Sequence, residues 1–350
     1  MTPERPSVVL RQAPHQEAPG APLAAPAPPF QAGLSNGDLV LALLQSSHQR
    51  LVALQPDVLA NRHREPLHQL RVSLRRLRSV LQHFGPLLVL PEAVRESRLA
   101  RVGRALGLAR DLDVLQARLQ QQILPVLPPA EVEALAAARR QLKRERRLAQ
   151  ELVEQSLRSG RYLKLLAHLQ QWLRQPRLTP LAAEPLAVWL PQWQGEALAG
   201  VFLHPGWWIA DAEADPEPLH ALRKRCKGAR YALEALQPHN GSAGALWATR
   251  LHAVQEQLGT LNDLVVLERA LRDQGPRCFA QQLPVLAALL QEQRAQVWQQ
   301  WRHLAQELLL LSSCDAATRS PLMVTFPPEA TPAAFRVSTA GPPLGPFCPL

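Results

Sequence analysis

Residues 65–71 read Glu-Pro-Leu-His-Gln-Leu-Arg, and residues 217–223 read Glu-Pro-Leu-His-Ala-Leu-Arg, an offset of 152. The same offset carries Arg75 onto Lys227 and Arg78 onto Arg230. It also carries Leu106-Gly107 onto Leu258-Gly259 and Asp111-Leu112 onto Asp263-Leu264. A single register held over about fifty residues marks an internal repeat. It predicts an all-α domain, a helical bundle of two pseudo-symmetric halves whose repeated helices face either one central groove or opposite surfaces.

The face of the repeated helix shows what the groove would hold. With 100° per residue and His68 at zero, Arg71, Arg75 and Arg78 fall at about −60°, −20° and −80°, an arc of roughly 80°. Leu67, Leu70, Leu74, Leu77 and Leu81 cluster on the adjoining face, so a core-facing ridge runs beside a row of cations. In the second half His220, Arg223, Lys227 and Arg230 repeat the row, with Leu219, Leu222, Cys226, Ala229 and Leu233 as the ridge. Like charges three and four residues apart repel by a few tenths of a kcal/mol per pair, roughly, and no carboxylates are interleaved to offset this. One such row is as well explained by a solvated face. Two in register predict an anion site. Pro66 and Pro218 suit a first helical turn, which places His68 and His220 beside free N–H groups and the positive end of the helix dipole.

These residues resemble the CHAD family, the conserved-histidine α-helical domains, whose hallmark is a His-x-x-Arg helix repeated in two halves. The matching segments are His68-x-x-Arg71-x-x-x-Arg75-Arg76-x-Arg78 and His220-x-x-Arg223-x-x-x-Lys227-x-x-Arg230-Tyr231-x-x-Glu234. Leu106-Gly107-x-x-Arg110-Asp111 and Leu258-Gly259-x-x-Asn262-Asp263 are similar to the family's G-x-x-R/N-D element. The second half departs from the pattern in placing Gly228 opposite Arg76. The resemblance implies a helical fold whose basic groove or pore binds inorganic polyphosphate, and association with polyphosphate granules.

Composition sets bounds around that reading. Of the 350 residues 47% are apolar, enough for a core, and only 5% are aromatic. The net charge is +10, and residues 64–147 hold nearly all of it, with 17 Lys and Arg against 8 Asp and Glu. An acidic partner follows from that charge. Cys226, Cys278, Cys314 and Cys348 lie far apart, which fits neither a disulfide framework nor a zinc site and points to a reducing compartment. No apolar run is long enough to span a bilayer and no signal core opens the chain, so a cytoplasmic protein without membrane contact is expected.

Pro- and Ala-rich segments at 1–33 and 314–350 are expected to be disordered tails around a helical domain at 34–313, with halves at about 34–180 and 181–313. Helices are predicted near 38–55, 65–84, 91–108, 111–122, 130–156, 161–173, 181–200, 217–236, 244–258, 263–274 and 282–311, and no sheet. Arg101 and Arg104 are read as an extension of the groove, with exposed surface charges as an equal alternative. Asp111 and Asp263 are read as caps of the helices that follow, with orientation of Arg side chains as the alternative. The run Arg139, Arg140, Lys143, Arg144, Arg146, Arg147 is read as a solvated face, with a second polyanion contact as the alternative, and Trp189, Trp193, Trp207 and Trp208 as packing residues.

The expected polyanion site is therefore His68, Arg71, Arg75, Arg78, Arg101, Arg104, His220, Arg223, Lys227 and Arg230. No cofactor, metal or catalysis is expected, because no P-loop, His-Asp dipeptide, H-E-x-x-H or G-x-S-x-G element occurs. A nucleic-acid-binding protein is the alternative. It is disfavoured by the lack of a helix-turn-helix pattern and of stacking aromatics among the Arg rows. An enzyme of phosphate metabolism is the third reading. Oligomeric state is left open.

Overall fold

The computed structural model describes residues 33–210, 216–274 and 279–318. Among these no strand occurs, apart from two isolated bridges at Ser35–Pro185 and Leu88–Leu178. The helices are α1 (Asn36–Ala60), α2 (Glu65–His83), α3 (Glu96–Arg118), α4 (Pro129–Ala134), α5 (Ala136–Arg158), α6 (Gly160–Arg174), α7 (Leu186–Phe202), α8 (Pro216–Gln274), α9 (Phe279–Gln282) and α10 (Pro284–Thr318). None of them is long and apolar enough to cross a membrane. The chain divides into two compact units between Glu307 and Leu308, and the account below concerns the first. Most of both expected tails lies outside the described residues. The boundary expected after residue 313 falls inside α10, which continues to Thr318.

Local chemistry explains the helix ends. Ser35 opens α1 with a capping box: its hydroxyl accepts from the Asp38 N–H at 3.1 Å, and the Asp38 carboxylate accepts from the Ser35 N–H at 3.0 Å. The helix runs on past Pro56, beyond the expected end at Gln55, and closes at Asn61 in the left-handed conformation (φ 48°), which Asn tolerates through its short polar side chain.

Two expected breaks are not there. Residues 91–108 and 111–122 were predicted as separate helices, yet α3 passes through the junction unbroken. Leu108, Ala109 and Arg110 are good helix formers with no Gly or Pro to stop them. Asp111 thus stands mid-helix and caps nothing, and Asp263 likewise sits inside α8. Nor is there a gap between 236 and 244, where α8 stays helical, but the helix cannot be straight. A straight helix would part Arg223 from Gly259 by about 54 Å, yet the Arg223 guanidinium lies 3.5 Å from where a Gly259 Cβ would stand. Arg230 Nε likewise donates to Gln255 Oε1 at 3.1 Å. α8 is therefore a helical hairpin that doubles back between these residues.

Both leucine ridges are buried. Leu67, Leu70, Leu74, Leu77 and Leu81 of α2 enter the core, as do Leu219, Leu222, Cys226, Ala229 and Leu233 of α8. At about 1.5–3 kcal/mol for each large apolar side chain, these ridges set which way the flanking cations must point. Burial pushes the Cys226 thiol up to about 12, so it packs as a small apolar group.

Polar contacts join the first half to the second. Asn36, fully buried, donates through Nδ2 to the Leu181 carbonyl (3.2 Å) and accepts from Trp193 Nε1 (3.0 Å). The tryptophans mostly pack as expected: Trp193 is buried, Trp207 stacks on Trp301 with centroids 5.3 Å apart, and Trp189 tilts against Trp193. Trp208 is the exception, 74% exposed. Glu131 of α4 is buried, and its two carboxylate oxygens accept the N–H groups of Val285 and Leu286, each at 2.9 Å. It caps α10 from across the fold, satisfying donors that the first turn of a helix leaves open. Glu131→Ala is expected to destabilise the protein by about 1–3 kcal/mol in urea unfolding, because the N–H groups of Val285 and Leu286 lose their acceptor. Glu131→Gln, which keeps one acceptor oxygen, should lose less.

Candidate functional site

The cations flanking the two ridges converge on one cavity of about 610 Å³ between α2, α3 and the two arms of α8. His68, Arg71, Arg75 and Arg78 line it from α2, and His220, Arg223 and Lys227 from the first arm of α8. Seven Lys and Arg side chains face three carboxylates, those of Asp111, Glu256 and Asp263.

The geometry explains the glycine of the repeated Leu-Gly element. A Cβ at Gly107 would stand 3.7 Å from Arg71 Nε and Nη2, and one at Gly259 would stand 3.5 Å from the same atoms of Arg223. Each arginine lies against a helix at the residue without a side chain. A helical glycine costs roughly 1 kcal/mol, and here it seats a guanidinium. Asp111, one turn beyond Gly107 on the same face, accepts from Arg71 Nη2 at 3.2 Å. The alternative reading of this residue, as an orienter of Arg, therefore replaces the capping role. Asp263 acts electrostatically on Arg118 of α3, opposing the burial that lowers that group.

These charges are packed closely enough to perturb one another. Burial, followed by repulsion from Arg75 and Arg223, brings the Arg71 guanidinium down to about 10, against the attraction of Asp111 and Tyr231. It remains a cation at neutral pH. The influence of Arg223 on Arg71 brings the two repeats into one electrostatic unit. Arg75 Nη1, Arg223 Nε and the Tyr231 hydroxyl are buried and have no protein partner. All three belong to residues that line a cavity with mostly positive charge.

Three expected site residues do not line this cavity. Arg230 is buried: it donates to Gln255 at 3.1 Å and to Glu234 at 2.5 Å, and its guanidinium covers the Tyr231 ring at 4.6 Å. Its repeat counterpart Arg78 stays at the cavity, paired with Glu96 (Nε to Oε1, 2.7 Å). The difference is local, because Glu234 lies one turn after Arg230, where the first half has Gln82 after Arg78. Arg101 and Arg104 are exposed on α3 and lie outside the cavity lining. The amide of His68 is not free either, since it donates to the Arg64 carbonyl at 3.3 Å. His68 therefore presents its imidazole alone.

Other residues were not foreseen. Arg110 and Asn262 line the cavity from the paired R/N position of the Gly-x-x-R/N-Asp element, so the repeat carried their signal. Ser79 and Tyr231, also 152 apart, line it too. Lys224 has Val72 as its counterpart and no sequence signal marked it. In the 139–147 run, Arg140, Lys143, Arg144 and Arg147 are exposed as expected. Arg146 instead turns inward to the fully buried Asp113, with Nε and Nη2 at 2.8 and 3.2 Å from its two oxygens, and Arg64 Nε adds a contact at 3.1 Å. That ion cluster anchors α5 to α3.

Fold and site together define an all-helical protein with a cationic cavity built by two repeated helices. The family model described as "CHAD domain" matches residues 42–272, and the chain belongs to that family. Among solved structures, the CHAD domain from the plant Ricinus communis superposes with a TM-score of 0.60 at 26% identity, covering 82% of this chain and 96% of that one. PptA from Streptomyces chartreusis superposes with a TM-score of 0.59 at 23% identity, covering 78% of this chain and 99% of its own, and shares the fold. No curated protein matches the chain.

His220 offers a direct measure of the field in the cavity. Burial lowers its pKa first, Lys224 and Arg223 lower it further, and Glu217 and a hydrogen bond with Asn262 oppose them. Its imidazole should titrate by NMR below the ordinary His value of about 6.5, and lower still in Asn262→Ala. A lowered folded-state pKa means that the unfolded chain takes the proton more readily. The contribution of His220 to stability is then complete above the ordinary His range and is lost as the pH falls through it.

Proposed function

We propose that the protein binds inorganic polyphosphate, without catalysis, in the cavity between α2, α3 and α8. The observation that carries the reading is the lining itself: Arg71, Arg75, Arg223 and Lys227 from two repeated helices, with buried N–H and O–H donors that no protein group satisfies. A linear phosphate chain repeats one charge and several acceptor oxygens per unit. It needs closely spaced cations and planar guanidinium donors rather than base readout. Membership of the CHAD family supports the choice of ligand, and the same reading extends to cytoplasmic polyphosphate granules as the place of action.

The site favours a chain without bases over a nucleic acid. Tyr231 is the one phenol in the lining, and Arg230 already covers its ring. A stacking platform of the kind single-stranded nucleic acids use is absent from the residues that line the cavity.

A competition titration tests this. Labelled long-chain polyphosphate should be displaced by unlabelled polyphosphate far better than by DNA or RNA, with affinity falling steeply as salt rises. Equal displacement by DNA overturns the ligand assignment, and release of orthophosphate during incubation overturns the non-catalytic part. Arg71→Glu with Arg223→Glu should weaken binding by about 100-fold or more, the loss of two charge-assisted contacts. Reversal of the exposed pair Arg144 and Arg147 should change it less than about three-fold. Binding should also tighten as the pH falls below about 6.5, since a bound polyanion favours the imidazolium of His220. His220→Gln should remove that part of the pH dependence.

A further inference from the structure

A second cavity, of about 200 Å³, adjoins the first. The two share Ser79, Gln82, Lys224 and Gly228, so they meet along the gap between α2 and the first arm of α8. We propose that this second cavity is a side branch of the anion track, in which the next phosphates of a chain seated in the main cavity pass out between α2, α7 and α8. The inference rests on the polyanion reading of the main cavity and adds a direction and an exit to it.

Gly228 makes the branch. In the first half the same position of the repeat is Arg76, which reaches towards Glu234 at 3.9 Å. In the second half the side chain is missing, and a Cβ built on Gly228 would meet nothing within 4 Å. The repeat is broken where the two cavities join, and the break leaves open space. No close approach to Gly228 accounts for the glycine.

The branch is also equipped for an anion. Arg225 lines it and lies against Gly200, where a Cβ would come within 3.3 Å of Nε and 3.4 Å of Cζ. That is the seating seen for Arg71 on Gly107 and Arg223 on Gly259, used a third time by an arginine that no repeat position predicts. Lys224, whose exposed ammonium is 3.7 Å from Glu217, stands at the junction of the cavities. His83 of α2 also belongs to the branch lining. One carboxylate opposes this set: Glu196, exposed and held by Gln192 Nε2 at 3.0 Å.

The arrangement predicts a dependence on chain length. Tripolyphosphate is short enough to be served by the main cavity, whereas a long chain would engage both. Binding of tripolyphosphate and of long-chain polyphosphate would be measured at several salt concentrations for the full chain and for Gly228→Leu, Arg225→Gln and Glu196→Gln. Gly228→Leu fills the junction and Arg225→Gln removes the seated charge. Each should lower long-chain affinity by at least about three-fold and flatten its salt dependence, because fewer phosphates are neutralised. In Arg225→Gln, whose residue lies outside the main-cavity lining, tripolyphosphate affinity should stay within about two-fold of the original protein. Glu196→Gln should act in the opposite sense and tighten the long chain alone. The branch is refuted if Gly228→Leu and Arg225→Gln bind the long chain with unchanged affinity and salt slope. It is refuted equally if Arg225→Gln weakens tripolyphosphate in parallel, which would place the effect in the main cavity. If the original protein binds neither phosphate, the main-cavity reading falls and this one falls with it.

Discussion

The structure depends on holding like charges together. Arg71, Arg75, Arg223 and Lys227 line one cavity, where burial first, and then repulsion from Arg75 and Arg223, lowers the pKa of Arg71. Such a cluster does not stabilise a fold. It persists because each basic row is the flank of a helix whose leucine ridge is buried, and burial of several large apolar side chains outweighs repulsions of a few tenths of a kcal/mol, roughly, per pair. The core imposes the charge cluster, and the cluster is then available to an anion.

The glycines refine this. Arginine is long and flexible, and fixing it costs roughly 2 kcal/mol of rotamer freedom. Seating Arg71 on Gly107 and Arg223 on Gly259 lets each guanidinium lie flat against a neighbouring helix, so that much of the ordering is done before any ligand arrives. Asp111 completes the seat in the first half. Elsewhere buried ion pairs serve architecture: Asp113 gathers Arg64 and Arg146, and Glu234 gathers Arg230 with Arg76 at longer range. In both kinds of site the arginines look alike in sequence. A carboxylate within reach and out of water marks the structural ones.

The departures from symmetry follow the same logic. Arg78 and Arg230 occupy equal positions in the repeat, but Glu234 draws Arg230 into the core while Arg78 remains at the cavity beside Glu96. Arg104 is exposed, whereas its counterpart Glu256 lines the cavity. Gly228 replaces Arg76 and opens the lining on one side. A duplicated motif keeps its backbone and its ridge; the polar residues around it are free to diverge.

Periodicity and repetition in the sequence were enough to determine the helical class, the two ridges and the pairing of Arg71 with Arg223, since these depend on residues within one or two helical turns and on a constant offset. They also contained Arg110 and Asn262, in a motif whose use was not evident. What they could not hold is the meaning of a glycine or an aspartate in mid-chain. Gly107 and Asp111 read locally as a helix end, and only the approach of Arg71 from another helix shows them to be a seat. The same holds for Arg146, a surface residue by composition and an anchor by its contact with Asp113. Local patterns decide which side of a helix is apolar. Which cation meets a carboxylate, and which is left facing a cavity, is decided by residues distant in the chain, and so by the tertiary structure alone.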